Sequence, residues 1–323
     1  MFSLDLIDRR LLVELDKNSR QPVSALAKKV RLSKQAVKQR LEKLEGNKII
    51  LNYYAVIDVF KLQRMSARLW IKLQGNYNED EIVKFALKMP DAGWVLKTDG
   101  VYDMAIILWS RDMHDFDKAA SRLKFQFGEF LKQIDISFIV RAHHISHRYL
   151  TNENALHDFF MEQKFSRFEI DSLDEKILGI LAKNSRASLV EMSKELGVSD
   201  KTIKYRIKNL EKNKVILGYM VLLDYSKIGY AWHKVFLRLQ NLTAEKYSKL
   251  VSYLKSKTSV MFVTEAIGVS DLEFEAMLQT TQQFHELMRE IRQKFPEIIK
   301  EFSWLTVFKI EKVYYAPQAH NAP

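Results

Sequence analysis

The sequence predicts an α+β fold, a tandem repeat of one two-part unit: a winged helix-turn-helix followed by a ferredoxin-like βαββαβ domain. Three observations predict it. Sliding the chain by 166 residues lays 4–74 over 170–240 without a gap, and about 23 of those 71 positions are identical, which chance does not produce. Within each copy, short helical patterns around a tight turn precede an alternation of strands and helices. Positive charge gathers on the same helix of both copies.

The repeat is visible in strings. Lys17-Asn18-Ser19-Arg20 recurs as Lys183-Asn184-Ser185-Arg186, and Leu44-Glu45-x-Asn47-Lys48-x-Ile50-Leu51-x-Tyr53 recurs as Leu210-Glu211-x-Asn213-Lys214-x-Ile216-Leu217-x-Tyr219. Beyond residue 74 the offset becomes 168, so that Gly100-x-x-Asp103 falls on Gly268-x-x-Asp271. The duplicated unit is therefore the whole two-part block. The expected boundaries are a first winged helix-turn-helix at 1–62, a first ferredoxin-like sensing and assembly domain at 63–150, and a linker at 151–168. The second pair follows at 169–229 and 230–316, with a tail at 317–323. The linker's mixed polar and aromatic character suggests a short connecting helix rather than a floppy tether.

At 323 residues the chain exceeds one ordinary core, and its 47% hydrophobic and 28% charged residues match an ordinary globular protein. No apolar run reaches the length of a membrane span, and Met1-Phe2-Ser3-Leu4-Asp5 lacks a basic-then-apolar leader, so a soluble cytoplasmic protein is expected. The absence of cysteine excludes disulfides, thiolate chemistry and cysteine-bound zinc. A net charge of +11 favours a polyanionic partner. A lysine-rich surface also serves solubility, so the position of the lysines decides.

In the first part of each unit, residues 5–16 carry Leu4, Ile7, Leu11, Leu12 and Leu15 on one helical face. A second helix over 23–29 buries Val23, Leu26, Ala27 and Val30. Ser33 is suited to cap a third helix reaching Glu45, with Ala36, Val37, Leu41 and Leu44 inward. Copy two repeats this with Ser199 as cap and Ile203, Ile207 and Leu210 inward. The Ile/Leu/Tyr-rich runs that follow read as a β-hairpin in each copy, the wing.

The third helix carries the functional signal. Residues 31–48 hold six Lys/Arg against two Glu, and 197–214 hold six against two acidic residues. Such a helix supplies cations for phosphates and amide or guanidinium forks for base edges. The candidate DNA-contacting residues are Ser33, Lys34, Gln35, Lys38, Gln39, Arg40 and Lys43, and then Ser199, Lys201, Lys204, Tyr205, Arg206 and Lys208. Asp200, where copy one has Lys34, would accept from cytosine or repel phosphate, though favouring the helix dipole is the preferred reading.

In the second part, strands are expected at 66–74, 93–98, 101–109 and 132–146 with helices at 78–89 and 112–127. Copy two gives strands at 231–240, 259–266, 271–279 and 298–314 with helices at 243–256 and 281–295. The βαββαβ order places both helices on one sheet face, and Trp70, Trp109, Phe236 and Trp304 suggest a sheet-to-sheet interface on the other.

These residues resemble the leucine-responsive regulatory protein / AsnC (feast/famine) family of bacterial and archaeal regulators, in a tandem-duplicated, archaeal-like form. The matching positions are Leu4-Asp5-x-x-Asp8, Asn18-Ser19-Arg20, Leu26-Ala27, Leu32-Ser33-x-x-x-Val37-x-x-Arg40-x-x-x-Leu44-Glu45 and Gly100-x-x-Asp103. In copy two they include Asp174, Arg186, Val198-Ser199, Arg206, Leu210-Glu211, Gly218-Tyr219, Asp224 and Gly229. The resemblance implies a transcriptional regulator reading double-stranded DNA, and a sensing domain for a small molecule, often an amino acid. That effector is expected at the glycine-bearing turns, at Thr98, Asp99, Gly100 and Asp103 and at Gly268 and Asp271. Since such regulators usually dimerise, the duplication suggests an intramolecular pseudo-dimer, with further homo-oligomerisation open. One departure is that Lys48 and Lys214 stand where the family often has Gly, so Asn47 and Asn213 are expected to take the left-handed cap.

No catalytic residue, metal or cofactor is expected. His143, His144, His147 and His157 cluster, and a strand would put His143 and His147 on one face, but a solvated strand end is preferred to a metal site. No phosphate loop, nucleophile elbow or paired-carboxylate motif is visible. Two alternatives stand: a sirohaem decarboxylase-like enzyme, whose His-Asn-Tyr string is missing here, and a non-DNA-binding partner of a sibling regulator. The reading helices keep their charge but not their base-facing residues, so an asymmetric operator is expected. Footprinting checks this; a strictly symmetric protected site would contradict it.

Overall fold

The computed structural model describes residues 2–75, 79–152, 158–164 and 168–316. In the first unit, α1 (Leu6–Lys17), α2 (Val23–Val30) and α3 (Lys34–Gly46) lead into β1 (Ile50–Ile57). There follow β2 (Met65–Leu73), α4 (Glu79–Lys88), β3 (Ala92–Gly100), β4 (Met104–Ser110), α5 (Met113–Phe127) and β5 (Leu131–Ile145). After β6 (Asp158–Glu162), the second unit repeats the order. It runs through α6 (Ser172–Lys183), α7 (Leu189–Leu196), α8 (Asp200–Lys212) and β7 (Ile216–Leu223). It ends with β8 (Ala231–Leu239), α9 (Ala244–Ser256), β9 (Val260–Ile267), β10 (Leu272–Leu278), α10 (Thr281–Lys294) and β11 (Ile299–Val313).

The strands pleat as their alternation demands. On β2, Ala67, Leu69 and Ile71 join the core under α4 and α5, whereas Trp70 belongs to a second core on the opposite face. Copy two repeats this: Val235 and Leu237 face its helices, and Trp232 and Phe236 face away. The two opposite faces meet. In each unit the long last strand begins in its own sheet and finishes in the other. Strand β5 pairs with β2 up to Phe138 and then with β9, and β11 pairs with β8 and then with β3. The closed order is β2-β4-β3-β11-β8-β10-β9-β5 and back to β2, a barrel with the helices outside. Trp70 meets Phe236 edge-on at 4.9 Å inside it, a geometry worth about 1 kcal/mol beyond area burial. Trp304 departs from expectation: it lies on the other face of β11, 41% exposed and packed on Phe284 and Phe302.

Glycine at the middle-strand turns is what lets the two units close on each other. Gly100 and Gly268 both have φ near +124°, and a Cβ on Gly268 would collide with the carbonyl oxygen of Ile136 in the other unit. A Cβ on Gly100 would lie 2.9 Å from the carbonyl of Trp304.

The expected winged hairpins are not formed within either copy. Instead β1 pairs antiparallel with β7, making one ribbon from both copies. Each strand has a free edge and an equivalent partner, and antiparallel pairing of the two satisfies both without a hairpin. The connecting helix is also corrected. Residues 158–162 run extended as β6 against β5, where Phe159 packs so close to Gly218 that a Cβ there would strike the ring. Residues 153–157, 165–167 and the tail at 317–323 lie outside the described residues, as does His157. Finally, Lys48 and Lys214 themselves take the left-handed conformation, at φ +53° and +58°. Asn47 and Asn213 stay outside it, and their side-chain amides donate to the carbonyls of Lys43 and Asn209.

The histidines are not a solvated strand end. His143 bonds Asp158 at 3.0 Å, His144 stacks on Phe262, and His147 is 1% exposed. The backbone N–H of His147 donates to Asp16 of α1 at 2.7 Å, and its Nδ1 lies 3.4 Å from the same carboxylate. Next to it Arg148 donates to the carbonyls of Lys255 and Lys257, placing a cation at the C-terminal end of α9. Residues 147–148 thus tie α1 of the first unit to α9 of the second. Burial pushes the Asp16 carboxyl up to about 8 and the His147 imidazole down to about 3, so both prefer to be neutral.

This packing yields two expected outcomes. Gly268→Ala should destabilise the protein by about 3 kcal/mol or more, combining strain and a backbone clash. Gly46→Ala, with nothing within 4 Å of the added Cβ, should be neutral or stabilise by up to about 1 kcal/mol; calorimetric melting of both variants checks the contrast. A folded-state pKa raised above the unfolded value means that the Asp16 contribution is present below about pH 4 and lost as pH rises through about 8. Asp16→Asn, which keeps an oxygen acceptor for the His147 N–H, should therefore abolish the part of the thermal destabilisation between about pH 5 and 8.5 that belongs to this carboxyl. Parallel melting curves for the two proteins across that range would contradict it.

Candidate nucleic-acid interface

Each third helix is begun by a serine hydroxyl. Ser33 Oγ accepts from Ala36 N–H and Ser199 Oγ from Thr202 N–H, both at 3.1 Å. A left-handed residue ends the helix before, Arg31 in one copy and Gly197 in the other, which makes the tight turn. One face of α3 is then buried through Val37, Leu41 and Leu44, and one face of α8 through Ile203, Ile207 and Leu210. The opposite face is solvent-exposed. It carries Lys34, Gln35, Lys38, Gln39 and Lys43 on α3 and Lys201, Lys204, Tyr205 and Lys208 on α8, with Tyr205 at 70% exposure. Lys38 leans 3.7 Å from exposed Glu42, a contact too solvated to matter much. The carboxylate of Asp200, the first residue of α8, accepts from the neighbouring Lys201 N–H.

Arg40 and Arg206 lie at the flank of this face, half-buried and ion-paired. The Arg40 guanidinium bonds Asp5 at 2.7 Å and Asp8 at 2.6 Å, and Arg206 reaches Asp171 at 2.8 Å and Asp174 at 3.2 Å. Asp5 with Asp8, and Asp171 with Asp174, are also the reciprocal caps that start α1 and α6. Hydrogen bonds donated to Asp5 and Asp8 hold the Arg40 guanidinium above its ordinary value, as the Asp174 charge and the bond to Asp171 do for Arg206. Each arginine thus fastens the third helix to the start of the first helix while staying partly exposed. The pairing is detectable in the sequence only as Asp-x-x-Asp with an Arg 32 residues beyond the second Asp, in both copies.

Residues beyond those singled out from sequence join the face. Lys28 and Arg31 line a shallow groove together with Lys34 between α2 and α3. Arg31 escapes helix-face reasoning because it occupies the left-handed turn.

The ribbon holds the two reading modules in one frame. Ser19 Oγ and Ser185 Oγ share a hydrogen bond of 2.6 Å, Ser19 N–H donates to the Tyr219 carbonyl and Ser185 N–H to the Tyr53 carbonyl. Arg20 donates to the carbonyl of Ser185 and Arg186 to that of Ser19, each guanidinium lying over a tyrosine ring of the other copy. Those tyrosines, Tyr53 and Tyr219, donate to Glu45 and Glu211 at the ends of α3 and α8, both at 2.6 Å. The shared Lys-Asn-Ser-Arg string is therefore the clasp between the copies.

At the glycine-bearing turns, the Asp103 carboxylate accepts from Leu73 N–H and from Lys72, and Asp271 accepts from Leu239 N–H. Thr98 Oγ1 donates to the Tyr102 carbonyl and is buried. Asp99 is exposed. Most of the turn chemistry thus holds strands together. No group of three or more His, Asp or Glu able to hold a metal occurs among the described residues, and no described helix is long and apolar enough to cross a membrane.

Known proteins share this geometry. The model of the AsnC-type helix-turn-helix domain matches residues 4–45 and again 170–211. An uncharacterised HTH-type transcriptional regulator of Pyrococcus furiosus is 31% identical over 127 residues, which is 39% of this chain and 82% of that protein. The regulatory protein AsnC of Haemophilus influenzae is 32% identical over 129 residues, covering 40% of this chain and 85% of its own length. Among solved structures, the siroheme decarboxylase NirDL covers 97% of this chain and 94% of its own, with a TM-score of 0.63 at 12% identity. At that identity the likeness is one of fold.

Proposed function

The chain belongs to the Lrp/AsnC family of helix-turn-helix DNA-binding transcriptional regulators, and from that premise we propose that a single polypeptide presents two reading helices to one stretch of double-stranded DNA. The observation that carries this is the cationic, solvent-facing side of both α3 and α8, joined by one ribbon. Ser33, Lys34, Gln35, Lys38, Gln39 and Lys43, with Ser199, Lys201, Lys204, Tyr205 and Lys208, are the contacts we assign, and Lys28 and Arg31 add phosphate-facing charge. Arg40 and Arg206 act as positioning residues. The cross-copy strand pairing supports an intramolecular pseudo-dimer, to which further copies can add, and a cytoplasmic location suits a protein that reads DNA.

A small effector such as an amino acid belongs to this reading, with exposed Asp99 as the acidic group that the first turn leaves to a ligand. A regulatory rather than enzymatic role is favoured by the regulators matched in sequence.

Changing Lys34, Lys38, Lys201 and Lys204 to Ala should weaken DNA binding and flatten the salt dependence, by about one unit of slope for each phosphate no longer neutralised. Fluorescence anisotropy at about 50–200 mM salt measures both. An unchanged slope in this variant, or no binding of duplex DNA by the parent chain at low salt, would overturn the assignment.

A further inference from the structure

The barrel interior carries chemistry that DNA reading does not use. Arg68 and Lys234 stand at equivalent positions of the two copies and both enter it. Their partners come from copy two alone, Glu273 and Glu275, where copy one has Ala105 and Ile107. Arg68 pairs with Glu273, while Lys234 Nζ lies 2.7 Å from Glu273 and 2.8 Å from Glu275. Ser270 donates to Glu273 and Trp232 Nε1 to Glu275. Burial opposes the Glu273 charge, yet Lys234 and Arg68 hold its carboxyl below the ordinary range. Two cations and two carboxylates thus form a balanced network.

Beside this network lies the cavity of about 50 Å³, walled by Trp94, Trp109, Trp232 and Phe262. Three buried polar atoms of its lining residues have no hydrogen-bond partner: Nε of Arg68, Nε1 of Trp94 and Oγ1 of Thr264. These residues are 6%, 6% and 1% exposed. Two of the atoms carry N–H groups and the third is a hydroxyl, so what is missing is an acceptor. Buried donors are rarely left without one. A space of this size exceeds what one buried water needs and suits one compact small molecule. Aromatic walls favour an apolar body. Because the ion network is already balanced, a carboxylate ligand would add an uncompensated buried charge.

We propose that this cavity binds a compact neutral molecule: a short branched aliphatic body ending in an amide- or ketone-like carbonyl, whose oxygen accepts from donors among Arg68, Trp94 and Thr264. The site is distinct from the glycine-bearing turns and from the DNA-reading face. Four of the five tryptophans, Trp70, Trp94, Trp109 and Trp232, line it, so tryptophan emission reports occupancy.

Titrating the full chain with isobutyramide should give a saturable change in emission and a rise in melting temperature. Thr264→Val, which keeps the shape and removes the hydroxyl, should weaken that response about tenfold, as loss of one hydrogen bond does, and Trp94→Phe should do the same by melting shift. Isobutyrate at neutral pH should bind at least about tenfold more weakly. No saturable response to isobutyramide, undiminished binding by both variants, or equal binding of isobutyrate would overturn the proposal.

Discussion

Unpaired strand edges dictate this architecture. Each unit alone would leave β1 or β7 with no sheet to join, and would leave β3 or β9 as an open edge. Backbone N–H and C=O groups must find partners when buried, and exposed edges invite wrong ones. The other copy supplies every missing partner. Once β1 lies on β7 and the ends of β5 and β11 cross into the opposite sheets, the barrel closes and the remaining packing follows. Gly100 and Gly268 permit the close crossing, and the Ser19–Ser185 clasp sets the ribbon's centre.

The ribbon and the barrel are continuous in energy as well as in chain. One apolar cluster runs from Leu11 and Leu12 of α1, through Tyr54 and Tyr315, to Trp94 and Trp232 inside the barrel. Tyr54 and Tyr315 stack at 5.7 Å, and Tyr315 meets Trp94 edge-on at 5.5 Å. A change of packing in the barrel thus has a physical route to the helix-turn-helix modules. That route is asymmetric. Asp16 has His147 above it in copy one, whereas the equivalent positions of copy two are Ala182 and Tyr315. Duplication frees each copy to diverge, and the carboxylates Glu273 and Glu275, present in one copy only, are another case.

The whole-chain likeness to a siroheme decarboxylase and the sequence match to regulators are compatible, because a fold hosts several functions and the site decides among them. Here the third helices carry their lysines on the outside, and the barrel interior holds tryptophans and an ion network.

The repeat, the βαββαβ order and the charge of α3 and α8 were legible from residues alone, because each is written in local periodicity, capping and composition. Element limits differ from expectation by up to three residues in the first sensing domain, as at β4, which begins at Met104. Three features were not legible, all for one reason. The two-stranded ribbon in place of two wings, the extended linker segment, and the pairing of Arg40 and Arg206 with aspartates each depend on a partner at long range. Leu-rich strand patterns state that a strand must pair but not with which edge. An arginine at a repeated helical spacing states its reach but not whether an aspartate waits beneath it. Sequence by itself thus determined that the chain has two helix-turn-helix units and two sheets to bury. Tertiary structure alone decided that each unit completes the other, since a hydrogen-bonding edge is satisfied by whatever strand the folded chain brings to it.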